Sequence, residues 1–202
     1  MALEIELKLK IAPAHIAKLQ HHPWVRSIAM TRARTLDLYS VYYDTEHLLL
    51  FQHAMALRLR RVGSQWIQTL KGGGQMQAGL HQRNEWEAPV PSESLNFEIL
   101  ENSGGVLPHG ARAHLKPIFV TAFKRNVRLV NYAGAEIELC IDYGEIRASG
   151  ATHPIAELEL ELKSGSPQQL FELAQALGNI VPLTPELTNK AEYGYRLFSA
   201  HK

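Results

Sequence analysis

Glu157-Leu158-Glu159-Leu160-Glu161-Leu162 alternates acid with leucine, and Glu4-Ile5-Glu6-Leu7-Lys8-Leu9 does nearly the same close to the N-terminus. Between them, Leu57-Arg58-Leu59-Arg60 is the basic counterpart. A period of two puts every charge on one face of a β-strand and every leucine on the other. One such strand would simply turn its polar face to water. Several together call for another reading, because solvent faces mix threonine, serine, glutamine and lysine, whereas glutamate and arginine dominate here. Same-sign neighbours at next-but-one spacing repel unless a counter-charge lies between them. A closed or nearly closed barrel with its charged faces inward supplies that counter-charge. The expected fold is therefore inverted, with a polar lumen and apolar outer faces that helices must cover. Rows of carboxylates and guanidiniums facing one another suit a metal ion held together with a chain of phosphates.

The other strands extend the pattern. An extended run covers 32–44, and strands are expected at 3–11, 55–62, 65–71, 80–90, 118–130, 136–143 and 155–163. Their polar faces add Lys71, then Arg83, Glu85 and Glu87, then Arg125, then Glu136, Glu138 and Asp142. Gly63-Ser64, Gly134 and Gly144 read as turns, and Gly72-Gly73-Gly74 as a flexible hairpin tip rather than a phosphate cradle. Pro13 opens a short helix that ends before Pro23, and Ser166-Pro167 caps and starts a helix through Leu177. Short helices around Phe97, Ile99 and Leu100 are expected within the irregular stretch 91–117, and partial helix within 186–198. No linker stands out, so residues 1–202 read as one α+β domain of mostly antiparallel strands.

Composition narrows the class. With 46% hydrophobic and 20% charged residues, the chain can bury a core without staples. A net charge of +1 leaves no nucleic-acid surface or acidic tail in command, so electrostatic work falls to local clusters. The single cysteine, Cys140, excludes an internal disulfide and a cysteine-based zinc site. Charges interrupt every apolar run and acids follow Met1 closely, so neither a membrane span nor a secretory leader is expected; the cytoplasm is the default.

The same residues resemble the CYTH family, the triphosphate tunnel metalloenzymes. Glu4-Ile-Glu6-Leu-Lys8 is similar to its N-terminal signature. Tyr43-Asp44-Thr45, Leu57-Arg58-Leu59-Arg60, Thr69-Leu70-Lys71 and Arg83-Asn-Glu85-Trp-Glu87 follow in order. Glu138 with Asp142, the Glu157–Glu161 run and Asn189-Lys190-Ala191 complete it over nearly the whole chain. The runs YYDTEHLLLFQHAMALRLRR and ELELELKSG look most like bacterial inorganic triphosphatases, many of which carry a helical CHAD domain after this one. The resemblance implies a closed antiparallel eight-stranded barrel with helices packed outside, and hydrolysis of a triphosphate.

The chemistry of the residues agrees. Lys8, Arg58, Arg60, Lys71, Arg83, Arg125 and Lys190 are candidates for gripping phosphate oxygens, the arginines with paired hydrogen bonds. Glu4, Glu6, Glu157, Glu159 and Glu161, supported by Glu138 and Asp142, are candidates for magnesium or manganese, since oxygen ligands select a hard cation. Glu157, Glu159 and Lys8 are the catalytic candidates for in-line attack of water on a terminal phosphorus. Other residues read as structural: Glu87 at a strand end, Arg61 and Arg128 on the surface, Lys124 and Lys163 outside or at the rim. Tyr39, Tyr42 and Tyr43 read as packing, His21-His22 as a solvated helix end, and Cys140 as a small packing residue. His81 lies near the strand of Arg83 without a role assigned to it. Thiamine triphosphate, nucleoside triphosphates and adenylate cyclisation are alternative chemistries, which would need an aromatic or base platform. Trp24, Trp66 and Trp86 are the candidates for one, though tryptophans are mostly core. A non-catalytic polyphosphate-binding module is the alternative of another class, and the acidic rows argue against it. The partner expected is a small-molecule triphosphate, with neither nucleic acid nor membrane; a homodimer is left open.

Overall fold

The structure is a computed structural model that describes residues 2–77 and 79–201; Met1, Ala78 and Lys202 lie outside the described residues. Strands are β1 (Ala2–Ile11), β2 (Arg34–Asp44), β3 (Met55–Val62), β4 (Gln65–Gln77), β5 (Leu80–Val90), β6 (Lys116–Tyr132), β7 (Ala135–Ala148), β8 (Ala151–Ser164) and β9 (Leu183–Pro185). Helices are α1 (Pro13–His21), α2 (Pro23–Ser27), α3 (Leu49–Gln52), α4 (Phe97–Asn102), α5 (Pro167–Gly178) and α6 (Lys190–Ala200). The strand order β5-β4-β3-β2-β6-β7-β8-β1 closes on itself through pairing of β1 with β5, and β9 adds to the far end of β1. Every pairing is antiparallel, so the described residues form a closed eight-stranded barrel with one extra short strand.

The inversion read from the alternation holds. Leu57, Leu59, Leu158 and Leu160 are fully buried on the outside of the wall, each contributing roughly 1.5–3 kcal/mol. The outer faces of β1, β7 and β8 pack through Leu7, Leu139 and Leu158 against Leu19 of α1, Val25 of α2 and Leu173 of α5. On the opposite side, Leu50 of α3 and Leu100 of α4 cover Leu57 and Leu70. α5 starts where its capping signals sit: Ser166 accepts from the Gln168 amide, and the Gln169 side chain accepts from the Ser166 amide. Pro23 both stops α1 and opens α2, with His22 as the cap accepting from the Trp24 amide. α3, which the alternation does not announce, hangs on the buried Asp44 carboxylate, which accepts from the amides of Thr45, Leu50 and Phe51.

Two glycine readings are corrected. Gly144 is no turn; it lies within β7, opposite Phe123. A Cβ there would stand 2.3 Å from the Ala122 carbonyl oxygen and 2.5 Å from Phe123 Cα, so this glycine permits close approach rather than reversal. Gly72-Gly73-Gly74 is no hairpin tip either: β4 runs through it to Gln77, with a bulge between Gly72 and Gln75.

α6 departs from the helices-outside arrangement. At one end of the barrel the inward faces of the strands are apolar, with Leu38, Phe119, Phe123, Ile146, Ala148 and Ile155 clustered around Tyr195 of α6. The helix comes so close that a Cβ on Gly194 would lie 2.2 Å from the Phe119 ring. No described helix is long and apolar enough to cross a membrane.

Candidate active site

Antiparallel register places the charges. Glu4 lies opposite Arg83, and Lys8 opposite Glu159. Lys71 faces Glu85, and Arg125 faces Asp142. Asp142 also lies opposite Glu157, and Glu138 opposite Glu161, pairs of like charge that repel unless bridged.

The bridging is densest around β7, β8 and α6. Arg125 forks onto Asp142, Nε to Oδ1 at 2.8 Å and Nη2 to Oδ2 at 2.7 Å, and also donates to Glu159. Lys190, the first residue of α6, donates from Nζ to Glu159 at 2.9 Å and to Glu157, and stands 2.7 Å from Asp142. Lys8 pairs with Glu159 and, at 3.2 Å, with Glu6. Toward β3, β4 and β5 the arginine links are longer, while the Lys71 link stays short. Lys71 binds both oxygens of Glu4, Arg83 reaches Glu6 at 3.2 Å, and Arg58 stands 3.6 Å from Glu85 and Glu87. Arg60 Nε donates to Ser40 Oγ at 2.9 Å. A cavity of about 70 Å³ remains among these side chains, bordered by Tyr42, Arg58, Arg60, Arg83, Glu159 and Lys190 with others of the set. Among the described residues the buried Nε groups of Arg58 and Arg83, both bordering this cavity, have no hydrogen-bond partner, which is costly unless water or a ligand supplies acceptors.

Titration follows from this crowding. Burial works against the charge on Lys8, yet Glu159, Glu6 and Glu157 hold its pKa above the ordinary lysine value. Burial outweighs Lys190 and Lys8 at Glu157 and pushes it up to about 7. Glu159 resists the same burial through Lys190, Lys8 and Arg125, and lies well below the usual range. Burial, and then Arg58, press against the charge on Arg60. Burial raises Tyr42, but Arg58 and Arg60 outweigh it and bring the phenol down.

Among the expected metal ligands, Asp142, Glu157 and Glu159 come together, each with an oxygen within 4.8 Å of the others. This buried all-oxygen set fits a hard divalent cation, and the Lys190 ammonium now stands among its carboxylates. Glu4 and Glu6 line the lumen beside Lys71 and Lys8, and Glu6 shares Lys8 with Glu157 and Glu159 of that triad. Glu161 lines it too but is held by Lys163 at 2.6 Å, and Glu138 stands at the rim, 4.0 Å from Lys163. The seven expected phosphate-gripping cations, Lys8, Arg58, Arg60, Lys71, Arg83, Arg125 and Lys190, all border the cavity. Glu87 is half exposed and accepts from the Thr69 hydroxyl.

Two structural readings change. Tyr42 is buried as expected but lines the lumen, stacked on Phe119; its shared parity with Ser40 and Asp44 was the available signal. Arg128 is not a surface charge: it is buried against α1. Cys140 is buried on the inward face with Sγ 3.7 Å from Glu138, and burial raises its pKa. His81 is buried 3.4 Å from the Glu186 carbonyl. None of the three tryptophans borders the lumen cavity; Trp24 meets Tyr132 edge-on and Trp86 packs on the outer cluster.

A tunnel lined in this way has counterparts among known proteins. Residues 2–195 match the CYTH domain. The chain belongs to the CYTH family. It is 34% identical, over 203 residues and 98% of its own length, to the inorganic triphosphatase of Haemophilus influenzae, of which it spans 56%. Similar CYTH-like folds are seen in a Hippeastrum protein described as a putative adenylyl cyclase with dominant triphosphatase activity (TM-score 0.61, 16% identity, 98% and 96% of the two chains) and in a putative adenylate cyclase from Bacillus halodurans (TM-score 0.57, 18% identity, 96% and 98%). A Mimivirus capping-enzyme triphosphatase shares the fold more distantly (TM-score 0.50, 11% identity, 88% and 89%).

Proposed function

We propose that this CYTH domain hydrolyses inorganic triphosphate to phosphate and pyrophosphate, with magnesium or manganese. One observation carries the reading: seven cations converge on a cavity whose buried arginine Nε groups lack acceptors, directly beside a triad of carboxylate oxygens. A triphosphate would satisfy those donors through several phosphate oxygens at once. A bound anion alone gains nothing from the acids, which disfavours a pure polyphosphate-binding module. Oxygen ligands and their burial support a hard cation at Asp142, Glu157 and Glu159, with Glu4, Glu6 and Glu161 as further candidates and Glu138 at the margin. Such an ion would neutralise charge on the phosphate oxygens.

The side chains divide the remaining work. Arg58, Arg60, Lys71 and Arg83 grip one part of the phosphate chain. Lys8, Arg125 and Lys190 meet the part nearest the acids and stabilise charge as the bond breaks. Water attacks the terminal phosphorus in line, and a carboxylate of the Glu157–Glu161 row that is not engaged by the cation positions it or accepts its proton. The cavity border holds Tyr42 but none of the three tryptophans, and the screen below separates a bare triphosphate from a thiamine or nucleoside ester. A reducing, magnesium-rich cytoplasm suits both the free Cys140 and this chemistry. The test is a phosphate-release screen of inorganic triphosphate, ATP, thiamine triphosphate and long polyphosphate with each metal. Turnover greatest on inorganic triphosphate is expected; no release with either metal overturns the reading.

A further inference from the structure

The outer wall of the barrel carries a second group of arginines that the tunnel chemistry does not use. Arg128 follows Arg125 on β6 but lies on the outward face, with Val130 of the outer core. Its Nη2 donates to the Gln20 carbonyl at the end of α1 and to Asn126 Oδ1, both at 3.0 Å. Its Nε is buried and finds no acceptor among the described residues. Beside it opens a cleft of about 760 Å³ bordered by Arg26, Arg32, His21, Thr31 and Asn126, with no aspartate or glutamate among its lining residues.

Lys18, Arg34 and Arg61 also lack an ion pair among the described residues but are exposed; what sets this place apart is that one of its unpaired cations, Arg128, is buried. Elsewhere on the surface, Lys116, Lys124, Arg112, Arg147 and Arg196 each have a carboxylate partner. No ion pair among the described residues includes Arg26, Arg32 or Arg128, and burial followed by the nearby Arg26 weighs against the charge on Arg128. The cleft is also framed. The segment between α2 and β2 is bound to β6 through Met30 N to Leu129 O at 2.8 Å, Leu129 N to Thr31 Oγ1 at 2.9 Å, and Asn131 N to Ile28 O at 2.9 Å. A buried guanidinium fixed at one end, flanked by two further cations beside a cleft without acids, favours an anion there.

We propose that this cleft binds a free inorganic oxyanion of phosphate, outside the tunnel, with Arg128 as anchor and Arg26 and Arg32 at its sides. Three guanidiniums match a multiply charged tetrahedral oxyanion better than a lone carboxylate. Pyrophosphate is the probe, titrated into the whole chain while the arginine Nε–Hε signals are followed by NMR, with triphosphate hydrolysis assayed in parallel. Arg128 and Arg26 signals should shift saturably. They should do so also in Lys8→Met, whose tunnel is impaired. Arg128→Gln should weaken the response read at Arg26 by about tenfold. The pair Arg26→Gln and Arg32→Gln, on the cleft's sides, should weaken the response read at Arg128 severalfold with hydrolysis unchanged. Unmoved or linearly drifting signals, a response lost in Lys8→Met, or undiminished affinity in the double variant would each overturn the proposal.

Discussion

The inward face of this barrel has two halves. Along β7 it passes from Asp142 to Ile146 and Ala148, and along β8 from Glu159 to Ile155. The strands, their parity and their closure do not change; only the side chains do. One half holds ion pairs around a small cavity, and the other is filled by Tyr195 and its neighbours on α6. Lys190 stands where they meet, its backbone starting the helix and its ammonium among the acids. A barrel wall thus lines a charged lumen or packs as core according to its side chains, and the helix marks where the polar half stops.

The sharpest way to break this comparison is Glu159→Gln. Glu159 alone contacts Lys8, Arg125 and Lys190. Its loss should cut metal-dependent phosphate release by about a hundredfold or more, with the barrel's circular dichroism retained; unaltered turnover would remove the acids from the chemistry. Arg58→Ala acts where the arginine links of the polar half are longer and should raise KM for triphosphate by roughly tenfold with a smaller change in kcat. Equal kinetics with the parent would mean that this guanidinium does not meet substrate. Gly194→Val tests the apolar half. A branched side chain cannot fit 2.2 Å from Phe119, so thermal stability should fall by about 1–3 kcal/mol or more, and a tunnel indifferent to α6 would keep its activity.

The smallest effect concerns pH. Glu157 titrates higher when folded, at about 7, than the free carboxylate value of 4.5. Its contribution to stability is therefore fully present below the lower value and lost as pH rises through the upper one, by at most about 3 kcal/mol. Glu159, held low, works in the opposite sense and loses its contribution as pH falls. With metal chelated, the melting temperature of Glu157→Gln relative to the parent should rise as pH goes from about 4.5 to about 7; a flat difference would mean that Glu157 does not titrate in this range.

The polar half was legible because its signal is local. Alternation at Glu157–Glu161, Glu4–Lys8 and Arg58–Arg60 fixes parity, and like charges on one face demand a partner across a lumen. The apolar half was hidden because Leu38, Ile146 and Ile155 look the same whether they point in or out. Gly144 misled for a related reason: a glycine that lets two backbones meet is written like a glycine that turns the chain. Arg128 gave no cue either, since its burial depends on α1 and on the segment after α2 folding over β6. Tyr42 could have been assigned to the lumen by counting from Asp44, had the partner of that face been known. The family resemblance supplied the strand count and the order of motifs, neither of which alternation determines.

The salt links inside the lumen have a consequence for loading. The basic side chains there lost most of their water when the barrel closed, and nearly all already lean on a carboxylate. On the proposed function, incoming phosphate would displace internal acids rather than hydration shells, as on an ion-exchange resin. Much of the dehydration would have been met by folding, and arrival would become a swap of one oxyanion for another, leaving the released carboxylates free to take up a cation.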